Sequence, residues 1–550
     1  MSVRGCFLGC ALVAITSLIA TNASAQYFLG GTAAYDDGAS WLDGAVPNGG
    51  TAYIGSASYP SGVATLNHDV TSLASSYLYL GYDANTTGEL DLSDGANLSI
   101  TGMRLAYDIN GLTGGTGTLS VAGGTLTDSG AMSIGYYGTG IYNQTGGSVS
   151  TAYYNVGVNG IGSATISGDS STLTVNNNVY VGMSAGSTGT VVQNGGLVHQ
   201  GGTVAGFSVG SEGNGSYTVN GGTVVIDGQL GLAMSAGVSG TITQTGGLVE
   251  ASAMAEQIAN DGGTVYGTLL GQSGTGTYSL SGGTFKIDAS MFVGNNENSS
   301  GHIIQTGGTL LGPQSGYTID LGQSGDGTYD LSDGVAKLGT IALGIGGTST
   351  GTINQTGGTV QTWWNDYGFW IGYGATGAYN LSGGTVNAPY TLIGGSAGGN
   401  GAVHQTGGVW NQQNELYIGY AASSTGVYTL DSGTFAGTAV YVGIEGTGTF
   451  NQNGGAASVT GEIAGYGTYN LAGGTMNMNG QNVSVATFNF TGGTLQNIGA
   501  VSTGVSLGTS PVFQQDAGTT GAVTGALSDV SGVAGTLTKT GGGTLVLSGA

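Results

Sequence analysis

The sequence predicts an all-β fold: a right-handed parallel β-helix of about 17 coils, each of roughly 25 residues. Three observations carry that prediction. A Gly-Gly doublet with fixed flanking residues recurs through most of the chain. The pieces between doublets alternate apolar and polar residues with the period of a strand, and none has the period of a helix. Composition rules out two other Gly-rich classes: 116 Gly and 5 Pro in 550 residues, with 39% hydrophobic and 6% charged, fit neither collagen nor a disordered chain.

The chain begins with the features of a secretory signal over residues 1–25. Arg4 supplies the positive start, Phe7 to Ala20 form an apolar run, and Ala23-Ser24-Ala25 is a cleavage site ahead of Gln26. That run, roughly 14 residues, is shorter than the ~20 a bilayer-spanning helix needs. A lipoprotein reading through Cys10 fits less well, because almost no apolar run precedes that cysteine. Both cysteines, Cys6 and Cys10, lie inside the signal, so the exported chain would draw no stability from disulfides. It would keep Arg104, Lys286, Lys337 and Lys539 against 29 acidic residues. So few cations exclude a nucleic-acid partner, which needs clustered Lys and Arg against its phosphates. No later segment reads as a transmembrane helix.

Residues 26–75 lack the repeat and are expected to cap the rod, whose open end otherwise exposes a strand edge. The repeat domain spans 76–500. Its shape shows in Gly351-Thr352-Ile353-Asn354-Gln355-Thr356-Gly357-Gly358-Thr359-Val360 and in Gly377-Ala378-Tyr379-Asn380-Leu381-Ser382-Gly383-Gly384-Thr385-Val386. An apolar-x-apolar-Gly piece precedes many copies, as in Leu416-Tyr417-Ile418-Gly419. The second doublet position runs from Gly95 to Gly493 in sixteen intervals spanning 398 residues; it is occupied by Asp169 in one degenerate copy. Copies with Leu-Ser before the doublet (Gly283, Gly334, Gly384) alternate with Gln-Thr copies (Gly247, Gly308, Gly358, Gly408), which doubles the period to about 50.

Each unit is too short to form a stable sheet alone and buries its apolar face only by stacking on its neighbours. The doublet supplies the positive φ that turns the corner. Strand parity places Tyr379, Leu381, Ile353 and Gln355 inward, with Asn380 and Asn354 outward. The recurring Gln244, Gln305, Gln355, Gln405 and Gln452 then lie at least partly buried, and their amides need partners, expected in the neighbouring coil's turn. The long interval between Gly247 and Gly283 contains Ala251 to Ala259, rich in helix formers, which reads as a protruding loop with a turn or two of helix. Residues 501–550 drift away from the motif.

These G-x-G-x-[apolar]-x-x-x-G-G units resemble the repeats of bacterial type V secretion (autotransporter) and PEP-CTERM-associated proteins. Gly535 to Gly549, with Thr536-Leu537-Thr538-Lys539-Thr540-Gly541-Gly542-Gly543-Thr544-Leu545-Val546-Leu547-Ser548, is similar to the autotransporter-associated β-strand repeat and stops inside that motif at Ala550. Ala39 to Pro47 resembles the cap of such proteins. The resemblance implies an exported, passenger-type β-helix at a Gram-negative-type cell surface or outer membrane, or released from it, with adhesion or surface display as its role. Neither a translocator barrel nor a sorting helix is seen, which suggests a truncated reading frame. The family has no invariant catalytic residues to carry over.

Candidate sites are few. Trp363, Trp364, Tyr367 and Trp370, with Trp410 one coil later, form the densest aromatic feature and could stack on sugar rings of an extracellular polysaccharide or another cell-surface molecule. They could equally cover a corner of the core. The middle of the apolar-x-apolar-Gly piece holds Tyr79, Tyr180, Phe292, Trp370, Tyr417 and Tyr441, an outward strip or a stacking ladder. Asp326, Asp330 and Asp333, like Glu89, Asp91 and Asp94, could offer oxygens to calcium, yet two of them simply replace Gly at a turn. His68, His199, His302 and His404 occupy different repeat positions. The sequence nominates no catalytic residue, cofactor or metal site. The rival reading is a polysaccharide hydrolase or lyase, for which a carboxylate pair at fixed separation is required and cannot be picked out.

Overall fold

A computed structural model describes residues 25–549 apart from 68–73, 76, 109, 112–113, 203–205, 253–266, 314–317 and 364–367. The signal segment, His68 and the helix-former loop after Ser252 therefore lie outside the described residues. The described chain is a parallel β-solenoid of about 19 turns of ~25 residues, with a single 3₁₀ turn at Gly38–Ser40. Each turn contributes three short strands, and each strand pairs in parallel with its counterpart one turn away. Taking one turn, Phe369–Ile371, Thr376–Leu381 and Thr385–Ala388 pair with Thr391–Ile393, Asn400–Gln405 and Val409–Ile418. The result is three stacks of strands around one continuous apolar core.

Two more turns form than the doublets indicate, because strand register continues where the doublet is missing. Gln26–Tyr27 pairs with Thr51–Ile54, and Gly31–Ala34 with Ser61–Leu66, so coiling begins at the first described strand. At the other end Thr520–Val523 pairs with Thr544–Leu547. Trp41 fills the first turn. It packs edge-on against Phe28 (5.3 Å) and Tyr35 (5.2 Å), and its indole N–H donates to the Tyr35 carbonyl at 2.8 Å. All three side chains are buried.

Burial alternates along each strand as strand geometry requires. In Thr376–Leu381 the inward set is Gly377, Tyr379 and Leu381. Gly377 sits where a Cβ would run into the backbone of Gly372 and Leu343, so the corner closes only without a side chain. Gly384 takes the left-handed φ of 81° that bends the chain between stacks. A Cβ there would lie 2.5 Å from the carbonyl oxygens of Gly357 and Gly358 in the preceding turn.

The doubled period has a packing cause. Gln355 is buried beside Ile353, and the next turn sets Tyr379 over Ile353 and Leu381 over Gln355. The Gln355 amide N–H groups point at the carbonyls of Gly357 and Gly358 in its own turn and Thr385 in the next, at 3.1–3.2 Å. Its Oε1 accepts the Tyr379 hydroxyl at 2.6 Å. The same hydroxyl-to-amide bond joins Tyr217 to Gln193, Tyr278 to Gln244, Tyr329 to Gln305, Tyr428 to Gln405 and Tyr469 to Gln452. A phenol in one turn satisfies the amide in the turn before, so the Gln and Leu copies come in pairs.

Candidate functional site

Outward positions of the strand stack that contains Phe369–Ile371 carry the aromatic side chains. Pairing places Trp370 between Ala342 and Leu392, and Leu392 next to Tyr417, which pairs with Tyr441. Tyr79, Tyr180 and Phe292 occupy the same column further along. The column is not a continuous aromatic strip. Ser133, Asn155, Ser208 and Gly231 interrupt it, and Phe292 is buried. Two aromatic blocks remain, one at the N-terminal end of the rod and one in its C-terminal half, five turns short of the last strand.

The C-terminal block contains part of the tryptophan cluster. Trp370 stacks on Tyr373 at 4.7 Å, and Tyr417 stacks on Tyr441 at 5.2 Å with Tyr420 edge-on at 5.3 Å. Burial raises the Tyr417 and Tyr441 phenols above their ordinary range, helped by the charges of Glu415 and Glu462 respectively. Trp363 receives the Lys337 ammonium 4.0 Å from its ring centroid, a cation–π contact. Trp364 and Tyr367 lie outside the described residues. Trp410 is not part of a surface patch. It is inward in its strand, fully buried between Phe369, Tyr379 and Tyr428, and its indole N–H donates to Gln412 Oε1 at 3.2 Å. Parity decides this: Trp410 pairs with the inward residues Val386 and Phe435.

The N-terminal block is larger. Tyr27 stacks on Tyr53 (4.9 Å, 13° between planes) and Tyr53 on Tyr79 (5.1 Å, 11°). Tyr107 and Tyr136 continue the row at 5.1 and 5.2 Å, tilted. Where the column would next hold a tyrosine, it holds Arg104. The guanidinium carbon is 4.7 Å from the Tyr136 centroid, 5.0 Å from Tyr107, and 5.8 Å from both Tyr77 and Tyr79. Sequence reasoning singled out Tyr79 but missed the cluster. The signal was present, since Tyr27, Tyr53, Tyr79 and Arg104 follow one another at 26, 26 and 25 residues, one coil each.

The titratable groups are paired locally rather than gathered. His199, His302 and His404 each meet an aspartate one turn on: Asp227 at 3.0 Å, Asp330 at 2.7 Å and Asp431 at 2.6 Å. Asp330 and Asp431 each also accept an amide N–H, from Asn354 and Asn453, both at 2.8 Å. The His404 hydrogen bond holds the Asp431 carboxyl below its ordinary value, and Asn453 adds to it. Asp326 accepts from the Thr350 hydroxyl, and Asp333 from the Gly334 N–H at a turn. Among the described residues no three His, Cys, Asp or Glu side chains come together to hold a metal ion. Two carboxyls are buried instead: burial pushes Asp128 and Asp320 up to about 6.

Of the chemistries on offer, the two outward aromatic blocks provide phenol donors, π-faces and a cation each, a set suited to noncovalent binding. No family model, curated protein or solved structure matches this chain. Among the described residues, no helix is long and apolar enough to cross a membrane.

Proposed function

We propose that this chain is an exported, passenger-type β-solenoid that serves as a structural rod at the cell surface and makes weak contacts, through its outward aromatic blocks, with glycans or neighbouring cells. The observation that carries this reading is the stack itself. Between Gln193 and Tyr469, six pairs of turns join a buried amide to a buried phenol of the next turn, as Tyr379 does with Gln355, so these turns stack without a cofactor or disulfide. That organisation serves length and display. The leader over residues 1–25 supports export, and the likeness to autotransporter and PEP-CTERM repeats supports surface placement.

The test is localisation followed by contact. Expressed from its own leader in a Gram-negative host, the chain is expected to lose residues 1–25 and to become accessible to added protease on intact cells. Retention inside the cell with the leader uncleaved overturns the export reading. Replacing Trp363 and Trp370 with Ala is expected to weaken cell or glycan adhesion, and unchanged adhesion removes that block from the account. Release of reducing ends or unsaturated sugars from a polysaccharide panel would instead favour the enzyme reading.

A further inference from the structure

We infer that the tyrosine row around Arg104 is a binding surface for an acidic polysaccharide, one whose sugars carry carboxylate or sulfate groups. Its geometry is that of a built row. Tyr27, Tyr53 and Tyr79 stand at 4.9 and 5.1 Å spacing with nearly parallel planes. Their faces are spent on one another, which leaves ring edges and hydroxyls to meet a ligand, with the Tyr53 hydroxyl also hydrogen-bonded to Tyr82. Burial and the neighbouring phenols push the Tyr53 hydroxyl well above its ordinary range, and burial raises Tyr79 and Tyr82 as well. These phenols therefore remain neutral donors, repeated once per turn along the rod axis. A polymer that presents acceptor oxygens at regular intervals matches such a row better than a small ligand does.

Arg104 sets the charge of the partner. The other cations of the described chain are otherwise engaged: Lys286 pairs with Glu250 (2.6 Å) and Asp288 (2.9 Å), Lys539 donates to the carbonyls of Gly541 and Gly543, and Lys337 lies on Trp363. Arg104 has no carboxylate partner among the described residues and is held by ring faces alone. Cation–π contacts occupy the flat faces of a guanidinium and leave its N–H edge, the fork that fits a carboxylate or sulfate. Asp83, close enough to raise the Tyr82 phenol, is turned to the Ala57 N–H at 2.7 Å. On a chain of net charge −24, this is where an anion meets both a guanidinium N–H edge without a carboxylate and a row of donors.

The experiment measures binding of the purified chain to polygalacturonate, alginate and dextran sulfate, with fully methyl-esterified polygalacturonate as the neutral counterpart on the same backbone. At physiological ionic strength, charge on the rest of the rod is screened beyond about 8 Å. Binding to at least one polyanion is expected, with the ester binding markedly less. Arg104→Gln should weaken it about tenfold, the loss of a charged hydrogen bond, while Arg104→Lys retains part of it. Tyr53→Phe with Tyr79→Phe keeps the stack but removes hydroxyls and should also weaken binding. Trp363→Ala should leave it unchanged. Circular dichroism and melting temperature establish that each variant folds. Failure to bind any of the three polyanions, equal binding of the ester, or an Arg104→Gln variant that folds and binds like the parent overturns the inference. None of these outcomes depends on export, so the surface-rod reading stands or falls separately.

Discussion

The Tyr379 hydroxyl donates to Gln355 Oε1 at 2.6 Å across one turn of the solenoid, with both side chains buried. Each group is the other's route to satisfaction, because an unpaired polar atom at this depth costs about 1–3 kcal/mol. Tyr379→Phe should therefore cost about that much by orphaning the amide oxygen. Gln355→Leu should cost more, since it strands the phenol and the carbonyls that the amide N–H groups reach. The double replacement is expected to cost less than the sum, giving a coupling of about 1 kcal/mol or more. A long repeat array need not unfold as one unit, so the proper readout is hydrogen exchange of amides in the turns on either side. Additive losses would mean that the bond carries no stability of its own.

Gly384 and Gly398 separate two costs that a turn glycine can carry. Both have positive φ, 81° and 77°. A Cβ at Gly384 would sit 2.5 Å from two carbonyl oxygens of the preceding turn, whereas at Gly398 nothing lies within 4 Å. Gly398→Ala should lose about 1 kcal/mol from backbone strain alone. Gly384→Ala should lose several times that, because the stacked turns must move apart. Equal melting temperatures for the two variants would contradict the close approach.

What the sequence made legible follows from period. Gly doublets and strand alternation made legible the stacked turn of about 25 residues, the inward Tyr379 and Leu381, and the burial of Gln355, but not the number of strands in a turn. Partners were less legible, because a contact between turns joins residues about 25 apart and depends on side-chain length. Nothing in the local motif says that a phenol reaches back to Gln355. The same limit hid the row of Tyr27, Tyr53 and Tyr79, whose members look like isolated aromatics until they are aligned by turn. Trp410 was misplaced for another reason: closeness in sequence to the Trp363 segment was allowed to outweigh its parity in its own strand, which points it inward.

That parity makes a prediction about two tryptophans that lie two turns apart. Trp410 fills core volume among Phe369, Tyr379 and Tyr428. Trp410→Ala should destabilise its region by about 3–5 kcal/mol through lost burial and the cavity left behind. Trp363→Ala forfeits mainly the Lys337 contact, about 0.5–1 kcal/mol. Acrylamide should quench fluorescence less in a variant retaining Trp410 as its only tryptophan than in one retaining Trp363. The reverse order of accessibility would refute the inward placement.

Asp128 and Asp320 give the rod a pH dependence of definite sign. Asp128 is largely buried, with the Gly130 N–H at 2.8 Å on Oδ1, and Asp320 is buried in the strand stack that contains Phe369–Ile371. Burial raises both carboxyls from 3.8 to about 6, outweighing the hydrogen bonds that oppose it. Between those two values the folded chain holds more protons than the unfolded one, so stability falls as pH rises through the window. Self-repulsion in a chain of net charge −24 acts in the same direction. The exposed His404–Asp431 pair acts oppositely, since the carboxyl it holds down loses its contribution only below the ordinary value, and screening keeps that small. Melting temperature should therefore increase on acidification from about pH 7 to pH 4, and Asp320→Asn, neutral at every pH, should flatten that slope. An Asp320→Asn variant with the parent's full slope would show that this carboxyl is ionised in the folded rod and solvated in a way its burial does not suggest.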